Sequence, residues 1–169
     1  VVGDITGNTD RVLAVCHAQH AHGTQMVVFP ELTLTGYPPE DLLLRGDVLL
    51  RTDAAVRRLC HELPADLVVV VGYPKARGDA LFNTAGVITN NEVTAEYDKQ
   101  RLPNYQVFDE KRYFDAGAEP WVVSLGGIQF GVTICEDIWH ESVNLKIKKL
   151  KPELIFCINA SPFQIGKLN

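Results

Sequence analysis

The chain has 169 residues, 46% of them hydrophobic and 22% charged, which suits one folded domain of ordinary size and argues against disorder. Its formal charge of −5 comes from 16 basic and 21 acidic residues, with no long block of one sign. This excludes the electrostatic pattern of a protein that binds nucleic acid or an anionic membrane.

The first part of the chain alternates between helical and strand patterns. After a loop-like start, a helix is predicted from about Thr9 to His22, ended by the glycine that follows. The apolar run Met26–Phe29 predicts a short strand, and a helical region with a break near Gly46 follows over Pro39–Leu63. The β-branched run Asp66–Gly72 shows no polar alternation, which indicates a strand covered on both faces.

Two hairpins are predicted in the second half. In the first, Asn90-Asn91 forms the turn between Val87–Thr89 and Val93–Tyr97. In the second, two glycines join the strands Trp121–Leu125 and Ile128–Ile134.

The remaining segments complete an α/β pattern. Leu102–Phe114 mixes aromatic and charged residues without a period, so we expect a structured loop. A helix from about Ser142 to Leu150 precedes the strand Leu154–Ile158, and Ser161–Lys167 resembles the start of another helix. Helices alternating with strands and hairpins predict an α/β sandwich with parallel and antiparallel pairs.

Three predicted strands end at residues that can carry chemistry. Glu31 follows the first strand, Lys99 follows the Asn90 hairpin, and Cys135 lies between the strand Ile128–Ile134 and the acidic, exposed-looking pair Glu136-Asp137. Active sites gather at strand ends on one side of a parallel sheet, and a thiol at such a junction has the position of a nucleophile. Taken singly, each residue also has a structural interpretation: buried packing for the thiol, an exposed strand end for the lysine, and a cap for the glutamate.

The other cysteines are interpreted as packing residues: Cys16 and Cys60 in helices and Cys157 in a strand. The cysteines show no C-x-x-C pair and do not combine with the histidines at zinc-ligand spacing, so neither a disulfide nor a metal site is expected. No apolar run reaches the length of a membrane span, and the start does not resemble a secretory leader. We therefore expect a cytoplasmic setting and no membrane partner.

Three segments together resemble the signature segments of the nitrilase (carbon–nitrogen hydrolase) superfamily, in the family's order. They are Phe29–Tyr37, Asp98–Pro103 and Gly131–Trp139. Within that superfamily, Gly36–Leu42, Leu102–Phe114 and Asn159–Phe163 look like the glutamine-hydrolysing amidase domain of glutamine-dependent NAD synthetases. The resemblance extends from Gly3 to Lys167.

The resemblance implies an α/β fold of the αββα sandwich type. Because a first strand, the last part of that domain and the ATP-dependent synthetase domain are not found, residues 1–169 are expected to be a partial amidotransferase domain, incomplete at both ends.

The resemblance also implies roles for individual residues. Glu31, Lys99 and Cys135 would form the catalytic triad, and Glu110 would support the lysine. A surface ion pair with a neighbouring basic residue is the alternative for Glu110. Positions that match glutamine contacts in the resembled family are Tyr105, Glu136, Ser161 and Lys167.

The implied activity is hydrolysis of the glutamine side-chain amide through a cysteine thioester, which supplies ammonia for amidation of nicotinic acid adenine dinucleotide to NAD. No cofactor is expected in this domain, whereas ATP and magnesium would act in the synthetase domain of the same polypeptide, and a homo-oligomer is expected. Two alternatives stay open: a stand-alone amidase of the superfamily with another small amide as substrate, and a catalytically silent lobe used for assembly.

Overall fold

The computed structural model of the chain describes residues 1–105 and 108–161. The α-helices of this part are α1 (Ile5–Ala21), α2 (Gly46–Glu62) and α3 (Glu141–Lys149). Its strands are β1 (Met26–Val28), β2 (Val68–Arg77), β3 (Ala80–Thr89), β4 (Glu92–Asp98), β5 (Val122–Leu125), β6 (Ile128–Ile134) and β7 (Leu154–Ile158). Short 3₁₀ helices cover Glu40–Leu44, Glu110–Arg112 and Cys135–Trp139.

The strands form two sheets. The first has the order β1-β2-β3-β4, in which β1 and β2 are parallel and the other pairs antiparallel. The second has the order β5-β6-β7, in which β5 and β6 are antiparallel and β6 and β7 parallel. The predicted mixture of pairings is therefore confirmed.

The elements stack in four layers. Helices α1 and α2 cover one face of the first sheet, and the second sheet covers the other. The side chains of β2 divide accordingly, since Val69 and Val71 enter the helix-facing core and Val68 and Val70 enter the core between the sheets. On the outer side of the second sheet, Ile147 of α3 packs closely over Gly131 of β6. This is the αββα sandwich, and the prediction that β2 is covered on both faces is confirmed.

The predicted hairpin turns are confirmed by their backbone angles. Asn90 and Asn91 have φ of 52° and 65°, and Gly126 and Gly127 have φ of 56° and 87°. Positive φ at both central residues matches the right-handed twist of the flanking strands, and Asn and Gly adopt it with little strain.

The predicted start of the first helix at Thr9 is wrong, because α1 begins at Ile5. The side chain of Asp4 accepts a hydrogen bond from Gly7 N at 3.0 Å and caps the helix. In the first turns, Asn8 donates to Leu34 O at 3.0 Å and Thr9 to Ile5 O at 2.7 Å, both from buried positions. These contacts outweigh the poor helix propensity of the segment.

Strands β2 and β3 are longer than predicted. Each has ten residues, and they pair at nine positions from Val69 opposite Ile88 to Arg77 opposite Ala80, whereas the sequence predicted a strand end at Gly72 and a start at Val87. The extension was missed because it includes a proline and charged residues. The described part of the predicted loop Leu102–Phe114 contains the 3₁₀ turn Glu110–Arg112, and the region from Pro39 begins with a 3₁₀ helix before α2.

None of the helices among the described residues combines the length and apolarity that crossing a bilayer requires.

Candidate active site

Glu31 lies just beyond β1, where the parallel pairing continues through a bond from Phe29 N to Val70 O of 2.8 Å. Its side chain is buried, with 2% of the residue exposed. Oε1 accepts hydrogen bonds from Lys99 Nζ and Asn83 Nδ2, both at 2.8 Å. Oε2 accepts from Ala160 N at 3.2 Å. These contacts hold both oxygens of the Glu31 carboxylate in place. They do not correspond to the cap of a helix or loop, which was the structural alternative for Glu31.

Lys99 follows β4 directly and is held by the neighbouring strand, because its backbone N–H donates to Asn83 O at 2.9 Å. The residue is only 1% exposed, so the alternative of an exposed strand end is wrong. Its ammonium lies between two carboxylates, 2.8 Å from Glu31 Oε1 and 2.9 Å from Glu110 Oε1. A buried cation with two anionic partners is firmly placed.

Glu110 begins the short 3₁₀ helix Glu110–Arg112 and is buried with 5% exposure. The alternative of a surface ion pair is wrong, because the carboxylate faces Lys99, whereas Arg112 lies near the carboxylates of Asp41 and Asp109. The hydroxyl of Tyr37 donates to Glu110 Oε1 at 3.0 Å. Glu110 Oε1 thus accepts hydrogen bonds from both the lysine and the tyrosine.

Cys135 lies at the end of β6, where the chain turns into the 3₁₀ helix Cys135–Trp139. Its φ of 47° belongs to the left-handed region that non-glycine residues rarely adopt. The residue is half-buried, and its Sγ lies 3.8 Å from Ser161 Oγ. Because Ala160 N contacts Glu31, the same segment touches both the thiol and the acid.

Burial and the neighbouring charges together determine the electrostatics of the cluster. Burial, with added repulsion from Glu31, raises the pKa of the Cys135 thiol to about 11, although Lys99 acts in the opposite direction. Burial disfavours the ammonium, but Glu31 and Glu110 outweigh it and raise the pKa of Lys99 to about 12. Burial also raises the pKa of Glu110 above its ordinary range despite the nearby ammonium. At neutral pH the lysine is charged and the thiol is protonated, so the thiol needs a base.

A cavity of about 450 Å³ is lined in part by Tyr105 and by Glu136, the residue that follows Cys135 in the chain. These two residues contact one another, because Tyr105 Oη donates to Glu136 Oε2 at 3.0 Å. Arg101 and Lys111 add positive charge to the lining. Lys167, the fourth residue predicted to contact glutamine, lies outside the described residues.

Four positions around the site differ from the sequence interpretation or were missed by it. The expectation that Glu136 and Asp137 are exposed is wrong, because Asp137 is fully buried and Glu136 is half-buried. Asn83, which donates to Glu31, was missed because it lies in the part of β3 that the pattern did not predict. Tyr37 was within a quoted segment, but nothing in its sequence context indicated its partner.

The cysteines of the chain are free thiols. Over residues 1–105 and 108–161, no three His, Cys, Asp or Glu side chains are grouped as metal ligands.

A family model for carbon-nitrogen hydrolases matches residues 1–167. The chain belongs to the carbon–nitrogen hydrolase family. It is 41% identical over 169 residues to the glutamine-dependent NAD(+) synthetase of Xanthomonas campestris pv. campestris strain 8004, covering 98% of this chain and 30% of the relative. The chain therefore spans about three tenths of the length of the curated relatives it matches.

Solved structures agree with this carbon–nitrogen hydrolase assignment. The glutamine-dependent NAD+ synthetase of Acinetobacter baumannii, solved with ADP, matches with a TM-score of 0.94 and 36% identity over 98% of this chain and 31% of its own. An amidase of the nitrilase superfamily from Nesterenkonia matches with a TM-score of 0.85 and 21% identity over 99% of this chain and 64% of its own, which shows the shared fold alone. The expected nitrilase-type αββα sandwich is confirmed.

Proposed function

We propose that this carbon–nitrogen hydrolase domain hydrolyses the side-chain amide of glutamine and that the ammonia serves the ATP-dependent formation of NAD. The observation that carries the proposal is the buried Glu31–Lys99–Glu110 cluster beside the half-buried thiol of Cys135. Relatives named for glutamine-dependent NAD synthesis at about 40% identity supply the substrate and the product.

The reaction begins with the attack of Cys135 Sγ on the carbonyl carbon of the amide. Because the thiol has a pKa of about 11, Glu31 removes its proton during the attack. The same proton then passes from Glu31 to the amide nitrogen, the C–N bond breaks, and ammonia leaves a thioester behind. Glu31 next removes a proton from water, which attacks the thioester, and the proton returns to sulfur as glutamate departs.

Lys99 stabilises the negative charge that develops on the carbonyl oxygen. Its ammonium has three N–H bonds, and among the described residues its hydrogen-bond partners are the carboxylates of Glu31 and Glu110. Nζ also lies 2.8 Å from Glu110 Oε2, so one N–H turns from Glu110 towards the oxyanion during the reaction. The backbone N–H of Glu136, which follows the nucleophile, is the second donor. Glu110 holds the ammonium in place and keeps it charged.

Glutamine recognition is assigned to the cavity beside Tyr105 and Glu136. The Glu136 carboxylate suits the α-ammonium of the substrate, and Tyr105 orients that carboxylate through their 3.0 Å hydrogen bond. Ser161 lies near the thiol and would contact the reacting end of glutamine. Lys167 is proposed as the partner of the α-carboxylate from its sequence match, together with Arg101 or Lys111 of the cavity.

The remaining parts of the proposal concern the whole protein. Residues 1–169 form part of the amidotransferase domain, and a synthetase domain of the same polypeptide receives the ammonia. ATP and magnesium act in that domain, and the hydrolase domain needs no cofactor of its own. The protein is proposed to be cytoplasmic and homo-oligomeric.

The test compares two ammonia sources in the full-length protein. Cys135→Ala should abolish glutamate release from glutamine and glutamine-driven NAD formation, whereas NAD formation from added ammonium and ATP should persist. Cys60→Ala, a half-buried cysteine in α2, is the matched control and should leave both activities intact. Glutamine use by Cys135→Ala would contradict the proposal, and faster hydrolysis of another small amide than of glutamine would favour the stand-alone amidase.

A further inference from the structure

The carboxylate of Asp137 is buried, with 0% of the residue exposed, and it takes no part in the proposed proton transfers. It accepts four hydrogen bonds. Oδ2 accepts from Tyr97 Oη at 2.8 Å and from Ile134 N at 3.3 Å. Oδ1 accepts from Gln100 N at 3.0 Å and from Arg101 N at 2.8 Å.

These four donors come from the two segments that carry the reacting groups. Tyr97, Gln100 and Arg101 lie on either side of Lys99, at the end of the first sheet. Ile134 immediately precedes Cys135 at the end of the second sheet. One carboxylate therefore joins the segment that carries the ammonium to the segment that carries the thiol.

We propose that Asp137 is a positioning residue that holds the left-handed turn at Cys135 against the strand end at Lys99. The inference rests on the proposed function, because it assigns to Asp137 the geometry on which the attack by Cys135 depends. The turn needs such a support, since the φ of 47° at Cys135 is unfavourable for a residue with a side chain. The bond from Ile134 N stabilises the turn, and the bonds from Gln100 N and Arg101 N fix it relative to Lys99.

The four donors explain why a carboxylate occupies this position. A carboxylate offers acceptor sites on both oxygens, whereas an amide offers one oxygen and presents N–H donors on its other side. In Asp137→Asn the oxygen can serve one pair of donors, but the NH₂ group then faces the other pair, including a backbone N–H that cannot reverse its role. The substitution keeps the shape of the side chain and removes about half of the hydrogen bonds that join the two segments.

The main experiment uses Asp137→Asn in the full-length protein. We expect kcat for glutamine hydrolysis to fall about 30- to 100-fold with KM changed less than about threefold, because a small displacement of the thiol lowers the rate steeply. The matched control is Glu96→Gln, which alters another carboxylate that accepts a buried tyrosine hydroxyl, that of Tyr73 at 2.7 Å. The control should keep kcat within about twofold of the parent.

Alkylation of Cys135 by iodoacetamide separates positioning from a simple charge effect and does not depend on glutamine. The charged groups that act on the thiol are Glu31, Lys99 and Glu110. Removal of a negative charge alone would favour the thiolate and move the pH profile of alkylation to lower pH. Loss of positioning weakens the contribution of Lys99, so we expect the profile of Asp137→Asn to move to higher pH.

A second pair of variants keeps the inference testable if Asp137→Asn does not fold. Tyr97→Phe and Tyr73→Phe each remove one buried hydroxyl that donates to a carboxylate, but only the first contacts Asp137. Both should lower the melting temperature by similar amounts, and only Tyr97→Phe should lower kcat, by about three- to tenfold.

The inference and the proposed function can fail separately. An Asp137→Asn variant with unchanged kcat, or an alkylation profile that is unchanged or moved to lower pH, would overturn the role of Asp137 even if glutamine is the substrate. Equal kcat in the two tyrosine variants would do the same. The opposite result is that the parent protein does not hydrolyse glutamine, but Asp137→Asn moves the alkylation profile of Cys135 to higher pH. That result would overturn the proposed function and support the positioning role.

Discussion

Gly72 of β2 lies directly beneath the backbone of Leu32, so that a β-carbon on the glycine would be 2.4 Å from Leu32 N. The same β-carbon would lie 2.7 Å from Pro30 O and 2.9 Å from the carbonyl carbon of Glu31. These atoms belong to backbone that cannot rotate away. The absence of a side chain at Gly72 therefore allows Glu31 to take its observed position.

Gly72→Ala should displace the segment around Glu31 rather than only weaken the core. We expect a loss of about 1–3 kcal/mol in the free energy of unfolding, together with a fall in kcat of about 100-fold. Chemical denaturation and steady-state kinetics measure the two effects. Gly46→Ala is the control, because a β-carbon at that position meets nothing within 4 Å, and its stability should change by less than about 0.5 kcal/mol.

Glu31→Gln removes the base and acid of the proposed reaction while keeping the shape of the side chain. The amide can still accept from Lys99 but cannot carry a proton between sulfur and nitrogen. We expect kcat to fall about 100- to 10,000-fold with little change in glutamine affinity. Rapid-quench measurement of the thioester and isothermal titration test this. Glu62→Gln on the exposed end of α2 is the control, and an undiminished rate for Glu31→Gln would remove Glu31 from the mechanism.

Glu136→Gln tests the recognition of glutamine rather than its hydrolysis. Loss of a charge-assisted contact with the α-ammonium should raise KM about 10- to 100-fold with kcat within about threefold. The Tyr105 hydroxyl can still donate to the remaining amide oxygen, which limits the disturbance. Glu141→Gln at the start of α3 should leave KM unchanged. A fall in kcat at constant KM would instead place Glu136 in the chemical step.

Glu110→Gln should change how stability depends on pH. Because burial raises the pKa of Glu110 in the folded state, its ionisation costs stability as the pH rises above the ordinary glutamate value of about 4.3. As the pH rises above about 4.3, the parent should therefore lose stability relative to Glu110→Gln. Urea denaturation at several pH values measures this difference.

Glu62→Gln is the control of opposite sign for that experiment. A hydrogen bond from Arg58 lowers the pKa of Glu62 in the folded state, so its ionisation adds stability as the pH rises. The variant should lose stability relative to the parent as the pH rises towards the ordinary glutamate value of about 4.3, and the difference should stay constant at higher pH. A flat difference for Glu110→Gln would show that its carboxylate titrates as it does in the unfolded chain.

The fold could be predicted from sequence where local signals agreed with the tertiary structure. The β-branched run of β2 was recognisable because a strand buried on both faces requires apolar residues throughout. The turns at Asn90 and Gly126 were recognisable because positive φ favours Asn and Gly. The start of α1 and the extension of β2 and β3 could not be predicted, because buried contacts of Asn8 and long antiparallel pairing stabilise segments with poor propensity.

The site, like the fold, could be predicted from sequence only in part. The strand-end positions of Glu31, Lys99 and Cys135 were visible in the sequence, and the structure brings Glu31 and Lys99 into contact at 2.8 Å. The contacts of Asn83 and Tyr37 could not be predicted, since they join residues 52 and 73 positions apart along the chain. Asp137 was misjudged because an acidic residue after a nucleophile resembles a solvent-facing turn, whereas here it receives four donors.

The division of the reacting groups between two sheets has a consequence for how sequence variation affects this domain. The acid and the ammonium belong to the first sheet, and the thiol belongs to the second. The apolar layer between the sheets, which includes Val70 and Val132, therefore fixes how far Cys135 lies from Glu31 and Lys99. If the three side chains react as proposed, substitutions that change the thickness of this apolar layer should alter the activity as strongly as substitutions of the polar side chains themselves.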